Sequence, residues 1–261
     1  MTRLEDTLKK LKEEHKKGLF IYIMAGAPDV ETTLKAVRAA EKAGADVIEL
    51  GLAFSDPLAD GPVIQKAGMS AIKSGMTTKK FMDLVRKIRE ESSIPLIGMG
   101  YINTMLHYGL AAFTSDAKAA GLDALIVPDL PHEESAELKG FCQAKQLHLI
   151  EFVTPNTVEA RVRETCASAD GFIYCVSVNG VTGVRKIDYG QINDVVQMVR
   201  KDTQVPLAVG FGIGSPETAL EASAEADAVI VGSAVVSRLE KGDIAGAADL
   251  IASIRKALDK G

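Results

Sequence analysis

Three carboxylates crowd one short stretch, ELGLAFSDPLADG (49–61): Glu49, Asp56 and Asp60. Glu49 sits inside the apolar run Val47-Ile48-Glu49-Leu50, which reads as a strand, and the two aspartates lie on the polar segment beyond it. Carboxyls in unlike surroundings can divide acid and base work. Burial raises the pKa of one until it can donate a proton near neutrality, while a more solvated partner stays ionised. A structural reading competes, in which an internal Arg or a backbone N–H holds a strand carboxylate. None of the eight apolar runs described below contains Lys or Arg, so no strand offers Glu49 a cation, and the balance favours acid–base chemistry.

A second signal lies in the last quarter of the chain. GFGIGSPE (210–217) places three glycines before Ser215 and Pro216, which fit a helix N-cap and first helical position. VGSAVV (231–236) places Gly232 and Ser233 at the start of another short helical stretch. Glycines let backbone N–H groups approach an oxyanion, and a helix N-terminus adds a favourable dipole. One such loop is commonly just a turn; two in succession point to a phosphate. A third segment, SVNGVTGVRKIDYG (177–190), is long, glycine-punctuated and polar at its tip. It fits a mobile active-site loop and an ordinary surface loop equally well.

Absences narrow the reaction. No strand lysine is available for a Schiff base, which disfavours an imine-forming aldolase or a pyridoxal phosphate enzyme in this chain. His15, His107, His132 and His148 are scattered without metal-ligand spacing, so no metal is expected. Cys142, Cys166 and Cys175 form no CxxC, which fits reduced thiols in a cytoplasmic protein. Carboxylate chemistry on a phosphorylated substrate remains.

The elements that must position these residues repeat a phrase: small residues, an Asp, then an apolar run. It occurs as AGADVIEL (43–50), AGLDALIVPD (120–129), SADGFIYCVS (168–177) and EADAVIVGS (225–233). Between the copies lie FIYIMAG (20–26), IPLIGMGY (94–101), LHLIEFV (147–153) and VPLAVGFG (205–212), giving eight buried strands. Amphipathic segments at 30–43, 78–91, 133–145, 157–168, 191–201, 215–224 and 244–259 separate them, with no linker-like composition anywhere. Regular strand–helix alternation implies a parallel sheet. Eight units in 261 residues, close to the ~250 such barrels use, predict an α/β fold: a single (β/α)₈ TIM-barrel domain over 1–261, with an extra N-terminal helix in residues 1–16. The charged start MTRLEDTLKKLKEEHKKG is unlike a signal peptide, no apolar run is long enough to span a membrane, and a net charge of −5 without a basic block gives nucleic acid no support.

ELGLAFSDPLADGPVIQKA (49–67), GVTG (180–183), GFGI (210–213) and GSA (232–234) together closely resemble the tryptophan synthase alpha chain family, in order from about residue 15 to 255. FSDPLADGP is highly specific to that family, whereas the glycine loops are shared with many phosphate-binding barrels. The resemblance implies a lyase that cleaves indole-3-glycerol phosphate to indole and glyceraldehyde 3-phosphate. It also implies a beta-chain partner, in a heterotetramer of two alpha and two beta chains, with pyridoxal phosphate only in the beta chain and no cofactor here. Carried over by position, Glu49 and Asp60 match the two catalytic carboxylates, and Tyr174 a residue beside them. Tyr22, Met99, Ile126, Phe152 and Phe211 match the indole pocket, positions where an apolar residue is equally ordinary core. Thr182, Gly183, Gly212, Gly232 and Ser233 match substrate-binding positions, the glycines and Ser233 at the phosphate. Asp56 and Pro57 match the partner-facing loop.

Ala27, Ala53 and Thr104 depart from the family's usual Asp, Pro and Pro. None touches the carboxylates, and the first two lie on loops toward the partner-facing end. Another phosphate-binding barrel enzyme, or a regulatory subunit with a degenerate site, are the rival readings; the intact Glu49 and Asp60 weigh against the second.

Overall fold

The computed structural model describes residues 1–176 and 189–260. Its strands are β1 (Gly18–Met24), β2 (Val47–Gly51), β3 (Leu96–Met99), β4 (Ala124–Ile126), β5 (His148–Leu149), β6 (Glu151–Val153), β7 (Ile173–Cys175), β8 (Leu207–Val209) and β9 (Ala228–Val231). All pair in parallel, in the order β5-β4-β3-β2-β1-β9-β8-β7-β6. Only Ile150 separates β5 from β6, and its N–H continues the ladder to Leu125 O at 2.9 Å. One segment thus pairs with β4 through its first half and with β7 through its second. Nine strand pieces fill the eight places of a TIM barrel.

The helices are α1 (Arg3–Glu13), α2 (Val30–Lys42), α3 (Pro62–Lys73), α4 (Thr78–Arg89), α5 (Ile102–Tyr108), α6 (Leu110–Ala120), α7 (Ala136–Ala144), α8 (Glu159–Ser168), α9 (Tyr189–Arg200), α10 (Pro216–Ser223), α11 (Ser233–Leu239) and α12 (Ile244–Leu258). Among the described residues no helix is long and apolar enough to cross a membrane. Helices α3, α5 and α6 have no counterpart among the amphipathic segments named from the sequence. They build up the connections after β2 and β3, the first of which carries Asp56 and Asp60.

Alternation along each strand separates two cores. In β2, Val47 points into the barrel with Phe20, Ile97 and Phe172, while Ile48 and Leu50 pack against the helices. Helix α1 closes the barrel's lower end. Thr2 and Glu5 form its capping box, with Glu5 N–H donating to Thr2 Oγ1 at 3.2 Å and Thr2 N–H to Glu5 Oε2 at 2.6 Å. Leu4 and Leu8 from this helix are buried among the interior side chains.

The recurring Asp acquires a structural reason. Asp46, Asp123 and Asp227 each precede an even-numbered place in the ring. Each carboxylate accepts the N–H of a residue at the start of the preceding strand: Leu19 at 2.8 Å, Leu96 at 2.9 Å and Leu207 at 2.7 Å. Their own N–H groups donate back to the carbonyls of the same three residues. An arginine from a helix completes each stitch: Arg255 on Asp46 at 3.2 Å, Arg89 on Asp123 at 2.7 Å, Arg200 on Asp227 at 2.5 Å. The fourth copy varies the theme, with Asp170 facing Nδ1 of His148, the first residue of β5, at 3.3 Å.

Candidate active site

At the opposite end of the barrel the strands open into a cavity. Tyr22, Glu49, Asp60, Met99, Tyr174, Phe211, Gly212, Gly232 and Ser233 line it, together with Gly210, Ile230 and residues at the start of α3. Glu49 shares the inward side of β2 with Val47, so the alternation that buries Val47 aims the carboxyl into the barrel. In register it lies between Tyr22 of β1 and Ile97 of β3. Only 2% of Glu49 is exposed. Asp60 comes from the loop between β2 and α3. A turn closed by Asp60 N–H on Pro57 O at 3.1 Å returns the chain inward, and Asp60 is itself buried, at 7% exposure.

Burial, and then the nearby Asp60 charge, push the Glu49 carboxyl up to about 8. Burial also raises Asp60, to about 6, against the opposing pull of a hydrogen bond from the Tyr101 hydroxyl. Among the described residues no cation contributes to either group. Near neutral pH the pair therefore holds one proton, on Glu49, with Asp60 ionised beside it. The sequence reading placed Asp60 on an open loop; the turn at Pro57 makes it nearly as buried as Glu49, and the two differ in pKa through depth and partners.

Two buried tyrosines complete the wall. The Tyr174 hydroxyl donates to Gly210 O at 3.5 Å, and the Tyr22 hydroxyl reaches Met24 Sδ at 4.0 Å. Gly51 and Gly210 leave the slots that these hydroxyls occupy, since a Cβ at either position would overlap the phenol oxygen. Desolvation, with the two carboxylates close by, holds both phenols well above their ordinary pKa, so both stay protonated.

At the far end of the cavity Gly210 and Gly212 follow β8, and Gly232 caps α11 with Ser233 as its first residue. Gly212 has φ +65°, a conformation in which only glycine is unstrained. Ser215 and Pro216 stand where the sequence puts them, at the N-cap and first turn of α10, with Ser215 Oγ accepting from Thr218 N–H at 3.3 Å.

Not every named residue converges here. Ile126 is 1% exposed and belongs to the interior packing. Phe152 stacks on Tyr174 with ring centroids 5.3 Å apart and lines a neighbouring cavity beside Asp129 and His132. Asp56 is exposed and Pro57 half-buried on the tip of the loop that ends in Asp60. Thr182, Gly183 and most of the 177–190 segment lie outside the described residues. Conversely, Tyr101 drew no attention in the sequence. It is separated from Asp60 by a helix pair and a strand, and only the β2–β3 register brings the two together.

A barrel of eight places, with two buried carboxyls at its mouth that meet no cation among the described residues, defines a TIM-barrel protein whose site suits acid–base chemistry. Comparison with known proteins narrows the class. The sequence profile of the tryptophan synthase alpha chain matches residues 8–259. The chain is 43% identical over 242 residues to the tryptophan synthase alpha chain of Caldanaerobacter subterraneus subsp. tengcongensis, covering 93% of this chain and 92% of that one. It is 46% identical over 241 residues to that of Citrifermentans bemidjiense, covering 92% and 90%. The crystal structure of tryptophan synthase subunit alpha from Legionella pneumophila superposes with a TM-score of 0.93 at 35% identity, covering all of both chains. A Mycobacterium tuberculosis tryptophan synthase structure gives 0.92 at 31% identity, covering 100% and 99%. This chain belongs to the tryptophan synthase alpha chain family. It is a carbon–carbon lyase, the alpha subunit that cleaves indole-3-glycerol phosphate to indole and glyceraldehyde 3-phosphate.

Proposed function

We propose that Glu49 and Asp60 carry this cleavage as a proton shuttle without a cofactor, with Tyr174 beside them. The observation that supports it most directly is the convergence of two buried carboxyls, with no cation beside them among the described residues, on one cavity. Protonated Glu49 donates to indole C3, which becomes tetrahedral and leaves positive charge on the ring N–H. Ionised Asp60 faces that N–H and stabilises the charge. Glu49, now a carboxylate, takes the proton of the side-chain hydroxyl as the C–C bond breaks. The bond's electron pair restores the indole double bond, the hydroxyl carbon becomes the aldehyde, and Glu49 regains its proton. Two positioned acid–base groups at ~10²–10⁴-fold each are adequate in kind.

The glycine-rich end of the cavity fits the phosphate through Gly212, Gly232 and Ser233; Thr182 and Gly183, outside the described residues, are the further substrate-binding positions in this reading. Tyr22, Met99 and Phe211 provide the wall against which the indole ring lies. Ile126 and Phe152 support that wall from behind. On the rim, exposed Asp56, half-buried Pro57 and the 89% exposed Leu58 offer a surface for a beta chain. In this reading two alpha and two beta chains assemble in the cytoplasm, pyridoxal phosphate resides in the beta chain alone, and buried Cys142, Cys166 and Cys175 stay reduced.

Indole release from indole-3-glycerol phosphate by the purified chain tests the assignment. Glu49→Gln is expected to lose at least ~10³-fold in kcat while binding glycerol 3-phosphate normally, and Asp60→Asn to be severely impaired. Turnover near wild type in either variant would remove that residue from the mechanism.

A further inference from the structure

Tyr101 is absent from the cavity wall, yet it grips the loop that delivers Asp60 at two points. It follows β3, caps the start of α5 and is only 3% exposed. Its hydroxyl accepts the Ala59 N–H at 3.1 Å, one residue before Asp60. Its ring stacks on Phe54, with centroids 5.3 Å apart and planes 26° from parallel. Phe54 and Ala59 bracket the exposed tip, Ser55, Asp56 and Leu58, so a single side chain pins both ends of it. The grip is anchored in turn. Asp129, from the loop after β4, accepts the Ile102 N–H at 2.9 Å and fixes the first turn of α5.

The geometry points to Tyr101 as a positioning residue for the known reaction, its hydroxyl and ring together setting where the Asp60 carboxylate stands in the cavity. This rests on Asp60 being the group that faces the indole nitrogen. A loop carboxylate that must meet a ring N–H at hydrogen-bond distance needs its backbone fixed to within about half an ångström. The turn at Pro57 fixes only local shape, whereas Tyr101 ties that turn to the barrel. The hydroxyl also favours the ionised carboxylate, opposing the burial that raises Asp60. The other titratable groups facing Asp60 are Glu49 from β2, Tyr22 from β1 and Tyr174 from β7, while Tyr101 itself also faces Asp129. None of these supplies positive charge, so the Tyr101 hydroxyl has no electrostatic substitute among the described residues.

Tyr101→Phe keeps the ring and its stack on Phe54 and removes only the oxygen. The experiment measures pH profiles of indole-3-glycerol phosphate cleavage for wild type, Tyr101→Phe, Asp60→Asn and the double variant. A hydrogen bond to a charged group predicts that Tyr101→Phe lowers kcat by about tenfold or more, with KM within about twofold. The acid limb of kcat/KM should move to higher pH, because Asp60 then protonates sooner as pH falls. In the Asp60→Asn background the same change should cost less than about twofold, since both act through one group. A purely packing role would leave Tyr101→Phe with wild-type kcat and an unmoved acid limb, and that result overturns the inference. So does a loss in the double variant as large as in the single one. An active Asp60→Asn would instead remove the reading on which the inference rests, and the two failures are told apart within one data set.

Discussion

The two ends of the barrel treat buried acids in opposite ways. At the closed end Asp123 is 1% exposed, and it meets Arg89 at 2.7 Å, Arg3 at 3.2 Å and the Leu96 N–H at 2.9 Å. At the open end Glu49 is 2% exposed and meets no cation among the described residues. Burial alone therefore does not separate a structural carboxylate from a chemical one; partners do. An acid stitched to an arginine and a backbone N–H ties one strand to its neighbour and closes the ring. An acid buried beside a like-charged neighbour, with no cation among the described residues, holds its proton to about 8. The same residue chemistry builds the floor and, in the proposed mechanism, moves the proton at the mouth.

The contrast breaks most visibly at the floor. Asp123→Asn keeps an acceptor for Leu96 but leaves the half-buried Arg89 charge without its counter-ion, held only by the carbonyls of Gly121, Ser92 and Ile94, and burial already lowers its pKa to about 10. Breaking a buried pair in this way is expected to cost ~3–5 kcal/mol in denaturant unfolding, with kcat of the folded fraction near wild type. At the mouth the stability change has the other sign and depends on pH. Glu49 titrates near 4.5 when unfolded and at about 8 when folded, so between these values the folded state binds the extra proton. Stability conferred by that protonated carboxyl is full below about 4.5 and is lost as pH rises through about 8. Glu49→Gln lacks this loss. Its stability relative to wild type should climb by up to a few kcal/mol from pH 5 to pH 9, and parallel unfolding curves at the two pH values would remove the claim.

Smaller effects sharpen the picture elsewhere in the cavity. Gly212→Asp adds a charge where the proposed function puts the phosphate, and a side chain at φ +65°. The inhibition constant of glycerol 3-phosphate should rise ~10–100-fold, a cost of about 1.4–2.7 kcal/mol; an unchanged constant would put the phosphate elsewhere. The smallest change is expected at the loop tip. Asp56→Ala should barely alter the isolated chain yet lose a several-fold share of the acceleration a beta chain provides. Equal acceleration of variant and wild type would clear Asp56 of that role.

What the sequence disclosed follows physical range. Strand-borne features were legible because an apolar run is a local signal: the runs marked all eight ring places, and the carboxylate inside one of them singled out Glu49. Local capping was equally plain at Ser215 and Pro216. The purpose of the repeated Asp was not, because its partners Arg255, Arg89 and Arg200 arrive from other helices and its backbone partner from the preceding strand. Nor was the burial of Asp60, which depends on the turn at Pro57 and on Tyr101 across the β2–β3 register. Helices α3, α5 and α6 were not among the amphipathic segments named from the sequence: α3 carries Gly68, and Gly109 divides α5 from α6 into short pieces. Phe152 and Ile126 show the converse: strand-end apolar residues look alike in sequence, and only the fold assigns one to a neighbouring cavity and the other to the interior packing.

The slot that Gly51 leaves for the Tyr22 hydroxyl ties two positions into one unit of inheritance. A side chain at 51 would overlap the phenol oxygen, and the ring carbon bearing it stands only 2.7 Å from where a Cβ would sit. Losing the oxygen through Tyr22→Phe is thus insufficient to admit even alanine at 51. The route between the present pair and any alternative runs in one direction: position 22 must shrink before position 51 can grow. A lineage carrying this tyrosine has made that glycine irreplaceable for as long as the ring remains.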